Sequence, residues 1–219
     1  MAYRLTDNET WFPNPLIYPP DDDGTFCVGG ELTPEWLVLA YSNGIFPWFA
    51  FKWNDEPVWY CPMDRFVIFP SEIHVSHSMR TMMNKGEYSV SFGHCFEQVI
   101  GYCSSLRIDN PGAWLGKDMI KAYTHLHKLG YAMSVEAWHG DELIGGLYGV
   151  TLGHCFFGES MFSLQPSGSK LALIALATAL SAYDDSLIDC QFETPHLKSM
   201  GGRHISYKDY LSILRKSIC

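Results

Sequence analysis

Two carboxylates and one amide stand at the ends of two predicted strands, where they could act on a substrate together. Glu159 lies among large apolar side chains in "FFGESMFS", residues 156–163, and Asp189 and Gln191 lie in "LIDCQ". A buried carboxylate is costly unless other groups pair with it. Strand alternation places Asp189 and Gln191 on one face and Cys190 on the other. Polar groups that converge above an apolar sheet are typical of a binding pocket.

The residues alone leave two explanations for Glu159 and Asp189. They either act on a substrate or accept hydrogen bonds from backbone amides, Arg and Lys, because structural ion pairs also occupy protein interiors. No Ser-His-Asp or Cys-His arrangement is recognisable in the sequence, so we expect no covalent nucleophile. Such a site is suited to orienting two substrates.

The composition indicates an acidic globular protein. Of its 219 residues 47% are hydrophobic, and the net charge of −9 argues against nonspecific adhesion to nucleic acid or anionic membranes. No apolar run reaches the roughly 18 residues of a membrane span, and the N-terminus lacks a secretory signal. Seven scattered cysteines without a CxxC motif indicate reduced thiols, and no zinc-like spacing surrounds them. We therefore expect a cytoplasmic protein without a metal.

The elements that must position these residues fall into two predicted domains, 1–65 and 66–219. In the first, "LTPEWLVLAYSNG" predicts a helix that Thr33 caps, Pro34 begins and Gly44 ends. The aromatic segment "IFPWFAFKWNDEPVWYCP" follows. Its rings form either a small core or a surface on which a base stacks.

The second predicted domain has a more regular pattern. "YAMSVEAW" and "LIGGLYGVTL" flank the turn "HGDE" and predict a hairpin. "SGSKLALIALATALSAYDD" is apolar almost all round, which predicts a buried helix. Three strands in succession, then helix, strand and helix, predict an α+β sheet with helices packed on its faces.

Five segments of the chain, in their order and spacing, closely resemble bacterial leucyl/phenylalanyl-tRNA–protein transferases. They are "GGELTPEWLVLAYSNGIFPWF", "LGYAMSVEAW", "ELIGGLYGV", "FFGESMFS" and "LIDCQ". The resemblance covers nearly the whole chain. It implies a cytosolic monomer without a cofactor that moves Leu or Phe, with Met as a further candidate, from aminoacyl-tRNA to an N-terminal Arg or Lys. The product is marked for N-end rule degradation. The implied fold is an acetyltransferase-like (GNAT-like) mixed sheet flanked by helices, with a small N-terminal α/β domain.

The resemblance assigns catalytic positions to Asp189 and Gln191, and we add Glu159 as the group that faces the cationic substrate. The implied reaction is aminolysis of an ester. An α-amine has a pKa of about 8 and is mostly protonated at neutral pH, so the site must attract a cation and release a proton. A carboxylate of ordinary pKa is a weak base for this purpose, so we expect Asp189 to position groups.

Substrate contacts are also implied. Trp48 and Trp114 match two family tryptophans that contact the terminal adenosine, and base stacking of this kind does not depend on sequence. An apolar, deformable pocket suits Leu and Phe. Its expected lining is Leu147, Phe157, Met161 and Leu176.

Phosphate contacts are expected from the segment "RTMMNKGEY", which is more basic in known family members. Here it supplies Arg80 and Lys85. Because phosphate contacts carry much of the affinity for nucleic acids, Arg65, Arg107 and Lys117 are the alternative contacts.

Two other functions compete with this interpretation. An acetyl-CoA-dependent N-acetyltransferase would share the fold, but "SLQPSGSK" lacks the R/Q-x-x-G-x-G/A pyrophosphate loop of such enzymes. A noncatalytic adaptor for N-terminal peptides would use Glu159 and Asp189. It would not need paired tryptophans for adenosine.

Overall fold

The computed structural model of the 219-residue chain describes residues 2–6, 9–48, 56–106 and 115–218. The helices in these ranges are α1 (Pro34–Ser42), α2 (His77–Met83), α3 (Phe96–Ser105), α4 (Lys117–Lys128), α5 (Gly168–Leu180), α6 (Pro195–Ser199) and α7 (Tyr207–Ser217), with a 3-10 turn at Pro70–Glu72. The strands are β1 (Tyr3–Arg4), β2 (Thr25–Val28), β3 (Phe46–Pro47), β4 (Val58–Tyr60), β5 (Asp64–Ile68), β6 (Tyr88–Phe92), β7 (Ala132–His139), β8 (Glu142–Leu152), β9 (Cys155–Ser163), β10 (Leu187–Gln191) and β11 (Arg203–Ser206). None of the described helices has the length and apolarity that a membrane crossing requires.

The described strands form two sheets. The smaller has the order β1-β2-β4-β3, and the larger has the order β11-β5-β10-β9-β8-β7-β6. In the larger sheet β9 and β10 pair in parallel, and the other described neighbours pair antiparallel. The predicted hairpin is present as β7 and β8. The predicted α+β class is confirmed by this mixed sheet with its helices.

The larger sheet is covered on both faces, and each face has its own apolar core. Helices α3 and α4 bury their apolar sides in one core with α1 and α7, whereas α5 and Met79 of α2 belong to the other. Consecutive strand residues alternate between the cores: Phe157 belongs to the α4 side and Phe156 to the α5 side. A residue on β9 or β10 therefore meets one set of helices or the other, according to its position along the strand.

Helix α1 has the predicted ends. The Thr33 hydroxyl accepts a hydrogen bond from the Trp36 amide, and Pro34 occupies the first turn. The helix ends at Ser42, and Gly44 follows with a φ of 66°. A side chain at Gly44 would come within 2.5 Å of the Tyr210 ring, so this glycine also permits close packing against α7.

Candidate active site

A cavity of about 470 Å³ lies beside the parallel strands β9 and β10. Its polar side chains are Glu159, Ser160, Gln191, Thr194 and His196, and its larger apolar side chains are Trp48, Leu147, Phe156, Met161, Leu173, Ile188, Phe192 and Leu197. Cys190 and Gly158 complete the lining. An apolar enclosure with a few polar groups is the usual form of a small-molecule site.

A β-bulge places Glu159 in this cavity. The pairing of β8 with β9 runs from Gly149 opposite Gly158 to Tyr148 opposite Ser160, so Glu159 is an extra residue without a partner in the register. A Cβ at Gly149 would lie 2.1 Å from the Phe157 carbonyl oxygen. Glycine is therefore required where the two strands approach at the bulge.

Three hydrogen-bond donors converge on the Glu159 carboxylate. The Tyr41 hydroxyl of α1 donates to Oε1 at 2.6 Å, and the Tyr123 hydroxyl of α4 donates to Oε2 at 2.8 Å. The Gln191 side-chain amide donates to Oε1 at 2.9 Å. Burial, and next the charge of Glu159, raise the pKa values of Tyr41 and Tyr123 well above normal, so both hydroxyls stay protonated.

Glu159 has no positively charged partner within the described ranges. Burial raises its pKa to about 7, although the hydrogen bonds from Tyr41, Tyr123 and Gln191 act in the opposite direction. Near neutral pH the carboxyl group is therefore present in both protonation states. A cationic group that enters the cavity would supply the charge partner that the carboxylate lacks.

Asp189 does not line the cavity. It is 1% exposed, and both of its oxygens accept hydrogen bonds from the Arg65 Nε at 3.0 Å. Oδ2 also accepts from Arg65 Nη2 and from the Tyr210 hydroxyl, each at 2.8 Å. Of the two explanations that the sequence left open, hydrogen bonding to Arg and backbone amides accounts for the position of Asp189.

The backbone at Gln191 explains why Asp189 and Gln191 do not share a face. Gln191 has a φ of 63°, and the pairing of β10 with β5 shifts between these two residues. The predicted regular alternation is therefore wrong here, and Cys190 and Gln191 both line the cavity. The Gln191 amide N–H donates to Asp189 Oδ1 at 2.8 Å, which holds the left-handed conformation.

Arg65 is fully buried, so the expectation that it contacts phosphates is wrong. Its guanidinium carbon lies 4.8 Å from each of the Phe46 and Tyr210 ring centroids, and Nη2 donates to the Gly44 carbonyl at 2.8 Å. Burial lowers the pKa of Arg65, but Asp189, Tyr210 and Cys61 together outweigh burial and the pKa is raised overall. Arg65 thus supports Asp189, and Asp189 supports Gln191.

The apolar part of the cavity matches the predicted pocket only in part. Leu147 and Met161 line it, whereas Phe157 and Leu176 do not. The bulge reverses the alternation along β9, so Met161 lies on the α5 side with Phe156, and Phe157 packs against Tyr41 on the α4 side. Leu173 takes the expected place of Leu176, which is one turn further along α5 in the core.

Aromatic rings border the cavity at its junction with the smaller sheet. The Trp48 ring lies 4.7 Å from Phe192 and 5.2 Å from Tyr60, measured between ring centroids. Trp48 is where an adenosine contact was predicted, and Phe192 was not anticipated. Trp114, the other predicted adenosine contact, lies outside the described residues, as does Arg107.

The expected phosphate contacts Arg80 and Lys85 are exposed on α2 and in the turn after it, and Lys117 is exposed at the start of α4. Two polar atoms of the cavity, Ser160 Oγ and His196 Nε2, are buried and form no hydrogen bond in the described structure. They are available to a substrate. The described residues contain no group of three or more His, Cys, Asp and Glu side chains that could hold a metal ion.

Sequence reasoning missed the groups that hold the site together: Tyr41, Tyr123, Arg65 and Tyr210. In the sequence, Tyr41 is 118 residues from Glu159 and Arg65 is 124 residues from Asp189. Tyr123 and Tyr210 are nearer to these partners, at 36 and 21 residues. Arg65 left one signal, because it is a charged residue next to the apolar run "FVIF" of β5. A charge in that position requires a buried partner.

Comparison with known proteins gives two family matches. The model described as leucyl/phenylalanyl-tRNA protein transferase matches residues 67–215, and the model of its N-terminal domain matches residues 30–63. A leucyl/phenylalanyl-tRNA–protein transferase of Hahella chejuensis is 45% identical over 97% of this chain and 90% of its own. One from Desulforapulum autotrophicum is 46% identical over 99% of this chain and 93% of its own. A solved structure of L-PGS from Bacillus licheniformis covers 90% of this chain and 74% of that chain at 12% identity, with a TM-score of 0.43 that is too low to establish a shared fold.

Proposed function

We infer, because the chain belongs to the leucyl/phenylalanyl-tRNA–protein transferase family, that it transfers Leu or Phe from aminoacyl-tRNA to the N-terminus of acceptor proteins. The observation that carries this proposal is Glu159, a buried carboxylate without a charge partner among the described residues, in a mainly apolar cavity. Such a site accepts an apolar side chain and a cationic amine together. We propose acceptors that begin with Arg or Lys, so that the products enter N-end rule degradation in the cytoplasm.

The apolar end of the cavity is proposed to hold the side chain of the transferred amino acid. Leu147, Met161, Phe156 and Leu173 line this end, and unbranched Met adapts to ligands of different shape. A volume of about 470 Å³ has room for Phe as well as Leu. Smaller side chains lose apolar contact, at about 1–3 kcal/mol for each missing methylene.

The aromatic border is proposed to hold the terminal adenosine of the tRNA. Trp48 and Phe192 supply rings next to the cavity, and Trp114 is proposed to act with them. A stacked base gains about 1–3 kcal/mol from each such contact. Adenosine at this border and the amino acid in the apolar end would place the ester between them, beside Glu159 and Gln191.

The proposed chemistry is attack of the acceptor's α-amine on the ester carbonyl. The new N–C bond forms as the C–O bond to the ribose breaks, and the ribose hydroxyl leaves with a proton that the amine has lost. Glu159 attracts the ammonium form. Its pKa of about 7 is closer to the pKa of an amine than the pKa of an ordinary carboxylate is. Gln191 orients the reacting groups by hydrogen bonding.

Asp189 is proposed to act as a positioning residue. It is saturated by Arg65, Tyr210 and the Gln191 amide, so it cannot approach the substrate without losing these bonds. Its contribution is to keep Gln191 in the left-handed conformation from which the side chain reaches Glu159. Loss of Asp189 would therefore act through Gln191.

The remaining expectations are also proposals. Arg80 and Lys85 are proposed to contact tRNA phosphates, since both are exposed. We propose a small N-terminal domain over residues 1–65 and an acetyltransferase-like catalytic domain over 66–219. The separate smaller sheet supports this division, although β5 of the larger sheet already begins at Asp64. A monomer is proposed because one chain forms the whole described cavity.

One assay tests the proposal against its competitors. The protein is incubated with an Arg-initiated peptide and leucyl-tRNA, acetyl-CoA or neither, and the products are weighed by mass spectrometry. We expect a gain of one leucyl residue with leucyl-tRNA only, and no gain with a matched Asp-initiated peptide. An acetyl gain would identify an acetyltransferase, an alternative that the family matches do not support. Binding of the peptide without any product would identify an adaptor.

A further inference from the structure

Helix α4 presents three lysines in one line on its exposed side. Lys117, Lys121 and Lys128 are all exposed. At 3.6 residues per turn they fall within about 40° of one another around the helix axis, over a length of roughly 16 Å. Asp118 is the one acidic residue of this helix, and His125 is also exposed. The exposed side of α4 is therefore a basic stripe, which we call the α4 stripe.

The lysines of the α4 stripe have no carboxylate partners within the described part of the chain. Three other exposed cations do, because Arg4 pairs with Glu56, Lys198 with Glu193 and Arg203 with Glu72. The protein has a net charge of −9, so a line of unpaired cations is a region where the surface charge is positive instead of negative. Such a surface attracts a polyanion that the rest of the molecule repels.

The α4 stripe lies directly behind the site. On the buried side of the same helix, the Tyr123 hydroxyl donates to Glu159 Oε2 at 2.8 Å. A helix with its side chains is about 10–12 Å across, so the lysines lie roughly one helix diameter from the site. In the sequence, α4 begins three residues after Trp114, the proposed adenosine contact. The α4 stripe therefore lies close to Glu159, on the face of the sheet opposite to α5.

The expected alternative surface is smaller and lies on the other face of the sheet. Helix α2 and its following turn supply Arg80 and Lys85, and Met79 anchors α2 in the core on the α5 side. Helix α4 belongs to the opposite core. The two basic surfaces can therefore be tested separately, because a change on one does not touch the other.

We propose that the α4 stripe binds the phosphate backbone of the tRNA stem and contributes more of the tRNA affinity than Arg80 and Lys85. This proposal rests on the proposed function, since it takes tRNA as the polyanion. Lysine serves this role as a point charge that releases counterions from the phosphates it neutralises. The stripe carries no base-reading geometry, so it would hold all tRNAs alike.

The test compares two charge-matched triple variants with the wild type. Lys117→Gln, Lys121→Gln and Lys128→Gln together remove the α4 stripe. Lys208→Gln, Arg215→Gln and Lys216→Gln together remove three exposed cations of α7 and change the net charge equally. Uncharged tRNA binding is measured from 50 to 200 mM salt, and leucyl transfer from leucyl-adenosine to an Arg-initiated peptide is measured for each protein.

The slope of log Kd against log salt should be shallower for the α4 variant than for the wild type by about 2–3 units. This is the change expected when three phosphates, at about 0.7–0.9 units each, are no longer neutralised. The tRNA affinity of the α4 variant at 50 mM salt should fall about tenfold or more, while transfer from leucyl-adenosine, which has no stem, should not change. The α7 variant should match the wild type in both measurements.

Three results would overturn the proposal: an unchanged salt slope for the α4 variant, an equal loss for the α7 variant, or a larger loss for Arg80→Gln with Lys85→Gln. An unchanged slope would show that the exposed face of α4 contacts only solvent. An equal loss for the α7 variant would show that any loss of positive charge weakens tRNA binding. Failure of the proposed function would give a different result, because the wild-type protein would then transfer no leucine from leucyl-tRNA or from leucyl-adenosine. The binding measurement would still report whether tRNA uses the α4 stripe.

Discussion

At the scale of single residues, Glu159 sets the character of the site. Three uncharged donors hold it in place without neutralising it, and burial raises its pKa to about 7. Hydrogen bonds to a carboxylate normally lower its pKa, so here burial is the stronger effect. Burial of this carboxylate lowers the free energy of unfolding. A cationic substrate that pairs with the carboxylate would recover part of that free energy.

The first prediction concerns the cost of burying Glu159. Its pKa rises from 4.5 unfolded to about 7 folded, so the folded state holds an extra proton between these values and stability falls as pH rises across that window. Glu159→Gln removes the titration. The free energy of unfolding of the variant minus that of the wild type should therefore rise by roughly 3 kcal/mol from pH 4 to pH 8, at 1.36 kcal/mol per pKa unit.

Urea unfolding at several pH values measures this difference. The matched control is Glu142→Gln, because Glu142 is exposed and carries no buried charge. A difference that stays flat for Glu159→Gln would show that the carboxylate is ionised at little cost. It would also remove the physical basis for its attraction of a cation.

The second prediction separates Gln191 from Asp189. Gln191→Ala should cut turnover with little effect on the binding of leucyl-adenosine or on stability, because Gln191 is only partly buried and is proposed to act on the reacting groups. Asp189→Ala leaves the buried Arg65 unpaired and should cost about 3–5 kcal/mol of stability in addition to turnover. Steady-state kinetics and thermal unfolding of both variants give the comparison.

A double variant tests whether the two residues act in series. If Asp189 works through Gln191, then Asp189→Asn should reduce turnover of the wild type but cause little further loss in the Gln191→Ala background. Additive losses would mean that Asp189 acts on the reaction by a separate route. Measurements at a temperature where both proteins remain folded exclude a stability effect.

Residue types and order indicated Glu159 and Gln191, because a carboxylate or amide at the end of an apolar strand is unusual, and both line the cavity. Trp48, which also lines it, was indicated by the family resemblance. Residue types and order were not sufficient to assign Asp189 to its partner. Arg65 is 124 residues away in the sequence, and only the pairing of β5 with β10 brings the two together. The contacts that decide whether a carboxylate serves structure or substrate are long-range contacts.

At the scale of elements, the regular parts of the chain were predictable and the irregular parts were not. Helix α1 and the β7–β8 hairpin follow from capping, turn chemistry and alternation. The bulge at Glu159 and the left-handed Gln191 each break the period of two, so Phe157 and Gln191 were placed on the wrong faces. Bulges are frequent next to active sites, where they redirect a side chain.

The third prediction tests the bulge itself. Gly149→Ala would place a Cβ 2.1 Å from the Phe157 carbonyl oxygen, a backbone atom that cannot move without disturbing the bulge. We expect a loss of stability of about 1–3 kcal/mol, together with a loss of transfer activity because Glu159 is displaced. Urea unfolding and the transfer assay measure the two effects.

Gly101→Ala is the control for this substitution. Gly101 lies within α3, and an added Cβ there would have no atom within 4 Å. Alanine in a helix interior should stabilise the protein by about 0.5–1 kcal/mol and leave activity unchanged. If Gly149→Ala behaved like this control, the bulge would not be needed to position Glu159.

At the scale of the whole molecule, the site depends on contacts between distant parts of the chain. Tyr41 and Gly44 come from α1 and its end, Arg65 from β5, and Tyr210 from α7, and these groups meet around Glu159 and Asp189. The resemblance to a known family indicated Asp189 and Gln191 but none of these partners. The three-dimensional reason for each position came from burial and hydrogen bonding.

The last prediction concerns the salt dependence of tRNA binding by the whole protein. Arg80, Lys85 and the three lysines of the α4 stripe would neutralise five phosphates, which corresponds to a slope between about −3.5 and −4.5. Arg80→Ala should make the slope shallower by about one unit and weaken all tRNAs alike. It should leave the ratio of Leu to Phe transfer unchanged, since the apolar side chains of the cavity are proposed to make that choice. A slope of about −6 or steeper that neither Arg80→Ala nor removal of the α4 stripe alters would place the tRNA on a different basic surface. Because the net charge is −9, long-range attraction should also contribute little to the rate of association.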